Sequence, residues 1–349
     1  MSTQEKHQEI VGSGAGLGAA IAMESGGELG EHLDVKARGY WEQVWRRFKR
    51  DRIAVGSIFF LILLVLVCFP GAAIAERQLG HSPNDIFFDG VDDRLVPKGP
   101  WNYVTHPLTG ERQLFILGAD GTLGRDLFLR LLYGGRVSLE VAVLSTMGVM
   151  LIGTLLGAIG GYYRGWIDTI VARLTEITMA FPALLFIIAL ASTVGGRLDN
   201  VTFGIFGQGV VTLVLVFWLF GWFYPARIIR AQVLSLREKE FIEAARMVGA
   251  SDWRIIRSHL LPHLVAPIIV FSTLVVASYI IGEAGLSFLG LGIKLPTASW
   301  GNLLSNAPEF YTTQPWLMVW PGMAVLLTTL AFNLLGDGLR DAFDPRATL

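Results

Sequence analysis

Glu240–Pro267, EFIEAARMVGASDWRIIRSHLLPHLVAP, is a polar, helix-prone stretch held between two long apolar runs. Phe241, Ala245 and Val248 recur at helical spacing, and Gly249 then offers a left-handed turn. Ser251 or Asp252 is placed to cap a second helix with Trp253, Ile256 and Leu260 on one face. The expectation is a compact knob of two short helices joined at a glycine. Ala245 and Gly249 between two helices also match a DNA-binding helix-turn-helix, but that motif needs a soluble helical core, and the flanks here are apolar. His259 and His263 stand four apart, as a helical metal pair would. Pro262 interrupts the helix between them and no third ligand lies nearby in sequence. A plain amphipathic connection remains as the alternative, and the rest of the chain decides against it.

Of the 349 residues, 52% are hydrophobic and only 16% charged, with a mean hydropathy of +0.52, so the solvent this chain is built for is a bilayer. Its net charge of −1 says little about partners, because in membrane proteins the placement of Lys and Arg among loops matters more than their sum. Forty glycines suit closely packed membrane helices. The single cysteine, Cys68, excludes an intrachain disulfide.

In chain order, residues 1–35 are Gly-, Glu- and Ser-rich and aperiodic, and are expected to form a disordered tail. Gly14, Gly16 and Ala19 inside it fit a loose dinucleotide pattern, but neither a preceding strand nor a βαβ unit accompanies them. Residues 36–52 place Trp41, Trp45 and Phe48 along one stripe, with Arg46, Arg47, Lys49, Arg50 and Arg52 beside it, as an interfacial amphipathic helix should. A first span follows at 53–75, then a polar, proline-punctuated extracytoplasmic loop or small cap at 76–133. Near its end, Leu127, Leu131 and Leu132 with Arg125 and Arg130 elsewhere suggest an element lying along the interface.

Residues 134–349 hold the remaining spans: Val137 to Gly161 with Gly148, Gly153, Gly157 and Gly160 for close approach, Asp168 to Val194, Gln208 to Tyr224, Val265 to Ile281, and Trp316 to Leu335. Arg173 and Glu176 lie in the third span's first turns and pair or line a path. Phe181-Pro182 puts a kink inside that span, and Glu283 follows the fifth. With six spans, the basic residues collect before span one, at Arg164, and between Arg227 and Arg257, on one side. Positive-inside bias places both termini and the knob in the cytoplasm.

Glu243-Ala244-Ala245, three residues, Gly249, then Leu260-Leu261-Pro262 resemble the EAA loop, at 240–263, of ABC importer permeases. Leu117 to Asp126, Arg130 to Leu139, Leu286 to Pro296, Ser299 to Asn302 and Gly336 to Arg346 are similar to the peptide/nickel branch of that family, the C-type subunit of dipeptide and oligopeptide permeases. The resemblance implies an all-α polytopic protein of the type I importer fold in a prokaryotic inner membrane, with a cytoplasmic two-helix coupling loop. It implies as partners a homologous second permease, two ATPases and an extracytoplasmic solute-binding protein. ATP and Mg would be used by the ATPases, since no phosphate loop occurs in this chain, and no cofactor or metal is expected on it.

Coupling to the ATPases is expected from Glu243, Ala244, Ala245, Arg246, Gly249, Trp253, His259, Leu261 and Pro262. In that reading the two alanines let helices approach, Glu243 pairs with Arg246 or reaches the ATPase, and Pro262 ends the knob and starts the fifth span. His263 stands where the branch usually has Asn. Path candidates are Arg173, Glu176, Phe181, Pro182 and Glu283. The resemblance favours di- or oligopeptides, with nickel complexes, opines or oligosaccharides as alternative cargoes. A six-span secondary transporter or channel is the rival of another class, although the charges here gather at span ends.

Overall fold

The computed structural model describes residues 39–182, 185–189 and 207–344. The tail at 1–35 with its glycine pattern, the far end of the expected third span, and the last residues of the C-terminal match lie outside them. The chain divides into two units, Met1–Arg46 and Arg47–Leu349. Helix α1 (Tyr40–Arg50) carries the boundary between them. Trp41 and Trp45 are exposed, as a lipid-facing stripe requires, whereas Phe48 is buried.

Helix α2 (Arg52–Leu79) starts at an Asp51 cap, whose Oδ1 accepts from Ile53 N at 2.9 Å. It passes Pro70 by widening into a π turn at Val67–Gly71, because a proline cannot donate to the carbonyl four residues back and its ring crowds that carbonyl. The strands β1 (Asn102–Thr105) and β2 (Arg112–Phe115) form an antiparallel hairpin, and β3 (Ala119–Asp120) pairs with β4 (Arg125–Asp126). Helix α3 (Leu127–Tyr163) is followed by α4 (Gly165–Ala180), α5 (Val210–Gly221) and α6 (Phe223–Arg237). The knob helix α7 (Glu240–Met247) precedes α8 (Asp252–Phe288), α9 (Trp300–Asn306) and α10 (Trp316–Phe343).

Among the described residues, α2, α3, α8 and α10 are long and apolar enough to cross a membrane, and α5 with α6, bent by 40°, adds a fifth if the pair is one span. The expected third span begins as α4 but stops at Ala180, and residues 185–189 are helical again. Phe181 is extended (φ −78°, ψ 129°), the conformation a following proline imposes, so Pro182 breaks the helix where a kink was expected.

Three further expectations change. The interfacial element before span two is no separate helix: its leucines open the 37-residue α3. Arg125 and Arg130 are buried, not turned to headgroups; Arg130 Nε lies 2.6 Å from Asp120 and Arg125 Nη2 3.4 Å. The segment expected at 76–133 is shorter, because α2 runs on to Leu79 and α3 starts at Leu127, and between them it is the small cap of the two readings, with Phe87, Val104, Phe115 and Ala119 as its core. His81, buried beneath it, joins Asp126 at 3.0 Å, and Asp126 Oδ1 caps α3 by accepting from Phe128 N at 2.8 Å. The cap is thus tied to the start of α3 by the buried Arg130–Asp120 ion pair and the buried His81–Asp126 hydrogen bond, whose partners require each other once removed from water.

Close helix packing comes from glycines on one face of α3. A Cβ on Gly148 would lie 2.0 Å from Trp218, on Gly153 2.6 Å from Pro225, on Gly157 2.5 Å from the Ala226 carbonyl, and on Gly161 2.9 Å from the Arg230 carbonyl. Gly161 takes the place expected for Gly160, whose nearest neighbours sit at an ordinary 3.5 Å. This stripe lets the backbones of α3 and α5–α6 touch, which brings the end of α6 and the knob beneath α3.

Candidate functional site

The knob is built on one buried side chain per turn. Ile242 of α7 is enclosed with Ile255, Ile256, Leu260 and Leu264 of α8, against Ala158, Tyr162, Ile229 and Val233 from α3 and α6. Helix α7 ends in a Schellman motif: Ala250 N donates to the Ala245 carbonyl at 3.0 Å and Gly249 N to Arg246 at 2.9 Å, with Gly249 at φ +84°. Ala245 and Ala250 pack on the same cluster, supplying the apolar contact that accompanies such a motif.

The outward face differs from the one that apolar spacing suggested. Met247, Val248 and Trp253 are 83%, 89% and 64% exposed, and Phe241 is exposed as well. Phe241 and Val248 therefore do not share the packed face of Ala245, nor Trp253 that of Ile256 and Leu260; Ile242 and Ile255 do. Ala244, Glu243 and Arg246 are exposed, so of the two alanines only Ala245 serves close packing. Arg246 lies over the Tyr162 ring, 5.5 Å from its centroid.

Pro262 does not end the knob. The chain from Asp252 to Phe288 is one helix of 37 residues, which accommodates the proline through a π turn at Ile256–Leu260, closed by Leu261 N to the Ile256 carbonyl. His259 and His263 consequently sit on a continuous helix, with His263 Nδ1 2.8 Å from the His259 carbonyl and its ring stacked on Phe241 at 5.0 Å. Leu261 and His259 are half-buried. A span that runs unbroken into the knob makes the second knob helix a rigid extension of the membrane domain.

Tyr162, which sequence reasoning missed, is the hub beneath the knob. Its hydroxyl donates to Asp252 Oδ1 at 2.7 Å, its carbonyl accepts from Arg237, and Arg237 and Arg246 both lie over its ring. The nearby Arg164 guanidinium donates to Glu238 and holds that carboxyl below the usual range. A paired tyrosine closing a span beside a basic loop was the only available signal.

The path candidates are scattered. Arg173 and Glu176 form an exposed ion pair at 2.6 Å along α4. Glu176 also lines a cleft of about 190 Å³ with Thr175, Met179, Arg227 and Arg230, where Arg230 Nη2 holds Asp168 Oδ2 at 2.6 Å. Phe181 and Pro182 are exposed at the break after α4. Glu283 lies inside α8, fully buried, with Ser138 and Ser287 hydroxyls each 2.7 Å from its carboxylate and Ser299 a further donor. Each serine oxygen already accepts from a backbone amide, of Trp300, Ile293 and Asn302 respectively. Their protons are thereby left for the carboxylate, which clasps α3, α8 and the start of α9 together.

Residues 153–349 match the family of binding-protein-dependent transport system inner membrane components. The chain belongs to this family. Residues 39–97 match the N-terminal transmembrane domain of oligopeptide transport permease C, so the likeness extends upstream of Leu117 through α1, α2 and the first part of the cap. The glutathione transport system permease protein GsiD of Pectobacterium atrosepticum is 37% identical over 90% of this chain and 93% of its own length. The dipeptide transport system permease protein DppC of Alkalihalophilus pseudofirmus is 34% identical over 88% and 90%. A solved inward-facing MetNI methionine ABC transporter superposes at a TM-score of 0.48 and 16% identity, over 62% of this chain and 96% of the other. The protein is an ABC importer permease, a multi-pass inner-membrane transport subunit, and the family excludes the secondary-transporter alternative.

Proposed function

We propose that this permease carries di- or oligopeptides, and that the knob transmits ATP-driven motion to its spans. The cargo reading is supported by the two relatives, named for dipeptide and glutathione transport and similar over about nine-tenths of the chain. Partners would be a homologous permease, two ATPases holding ATP and Mg, and a solute-binding protein. The termini and knob would face the cytoplasm, following the basic-residue bias.

One observation carries the coupling reading: the knob's inner face is packed while Met247, Val248 and Trp253 stand exposed around the Gly249 turn. Large apolar side chains presented on a rigid, glycine-terminated support suit a protein interface. Closure of the ATPases would then drive the knob, and α8, continuous with it, would carry the motion into the membrane. The test is Val248→Asp, which alters only the outer face. Membrane insertion should be normal while ATPase copurification and peptide uptake fall at least about tenfold, as for a central apolar interface contact. Wild-type uptake in Val248→Asp would refute the assignment.

A further inference from the structure

A cleft of about 570 Å³ opens between the knob ends of α6, α8 and α10. Its lining is ordered along the helices. Gln232, His263, Arg340 and Asp344 ring the end nearest the knob, whereas Ile228, Val270, Phe271 and Leu274 line the deeper part. His263 and Leu274 are separated by about 16 Å of helix rise, close to the ~15 Å depth of one leaflet's hydrocarbon. Arg47 lies next to this rim, donating from Nη1 to the Asp344 carbonyl at 2.5 Å. Among the described residues the lining holds Arg340 and the Asp344 carboxylate, and Arg47, held on Asp344, brings a second guanidinium beside them.

We propose that this cleft is a binding site for an anionic phospholipid, with the headgroup phosphate on Arg340 and Arg47 and an acyl chain along Ile228, Val270, Phe271 and Leu274. The polarity gradient selects the occupant. A water-soluble cargo needs polar partners along its whole length, and the deep part of the cleft offers only apolar side chains. A lipid needs charge at the interface and hydrocarbon below it, which is the order found here. Long basic side chains at helix ends are suited to reach headgroups at that level. The site abuts the knob, because His263 on its rim stacks on Phe241 of α7.

The test uses the full-length chain in detergent, titrated with phosphatidylglycerol, phosphatidylcholine or inorganic phosphate and followed by native mass spectrometry. It reads lipid retention, so its result stands apart from the transport reading. Phosphatidylglycerol should bind about fivefold more weakly to Arg340→Gln, the loss of one basic side chain at an anionic headgroup, while Arg340→Lys retains most of the affinity. Phosphatidylcholine, whose phosphate is offset by its own choline cation, should lose clearly less than phosphatidylglycerol on Arg340→Gln. Val270→Trp, which fills the deep end, should weaken both lipids. Equal phosphatidylglycerol retention by wild type, Arg340→Gln and Val270→Trp would overturn the proposal. Displacement of the lipid by millimolar inorganic phosphate would overturn it too, as the mark of a site for free anions.

Discussion

Gly249 has open space within 4 Å of where a Cβ would lie, so the cost of replacing it is backbone strain alone, at φ +84°. A β-branched residue there costs on the order of 1–2 kcal/mol and tilts the second helix, whereas Asn tolerates the left-handed region. Gly249→Val should insert normally, lose ATPase copurification and abolish or uncouple uptake; Gly249→Ala should be milder and Gly249→Asn milder still. Uptake assays across the series measure the order, and silence of all three substitutions would mark the loop as a mere connection. This position was legible in the sequence, since a glycine closing an amphipathic run before a polar cap has few other uses. Glu283 was legible only as an ionisable group beside a span, because its three serines come from α3, α8 and the segment before α9. Glu283→Gln puts an amide donor where serine protons already point and should cost about 1–3 kcal/mol. Glu283→Ala leaves all of them unmet and should lower the melting temperature further. Equal melting of the Ala variant and wild type would show that the clasp holds nothing.

Between elements, the decisive contact is the glycine stripe of α3 against α5 and α6. At Gly157 a Cβ would fall 2.5 Å from the Ala226 carbonyl and 3.1 Å from Arg230 N, both backbone atoms that cannot swing away. Gly157→Leu should therefore separate the two helices and reduce the amount of folded permease severalfold, an overpacking cost of about 1–3 kcal/mol or more. Gly160→Ala, whose nearest contact is 3.5 Å, should be tolerated, and size-exclusion profiles from detergent extracts compare the two. Sequence reasoning saw that glycines recur in this span but not which of them face a partner, because the phase of a uniformly apolar helix is invisible without the opposing helix. The same limit hid the split between Phe241, Val248 and Trp253, which are exposed, and Ala245, Ile256 and Leu260, which pack inward: apolar spacing marks a stripe, and only packing tells whether core or partner covers it. Proline was over-read for a related reason. Pro262 and Pro70 are both absorbed by π turns, which a sequence does not announce.

At the scale of the molecule, every connection that places the knob beneath α3 also constrains which side of the membrane each end faces. The cap lies between α2 and α3, and the knob between α6 and α8. An odd number of crossings therefore separates them when α3, α4 with its continuation, and the α5–α6 pair each cross once. The cap's folded core and its buried His81–Asp126 and Arg130–Asp120 pairs make it a rigid marker for one side. Exposed sites are available on both: Asn102 opens strand β1 and Ser251 follows the Gly249 turn. Asn302, in the connection between α8 and α10, is no such site: it is buried in the capping box of α9, which a probe there would perturb. The native Cys68 is buried, so it contributes little background to thiol labelling. In intact cells a membrane-impermeant maleimide should modify Asn102→Cys and spare Ser251→Cys until the membrane is opened. Labelling of Ser251→Cys from outside would invert the orientation and with it the placement of the ATPases, whatever the cargo proves to be.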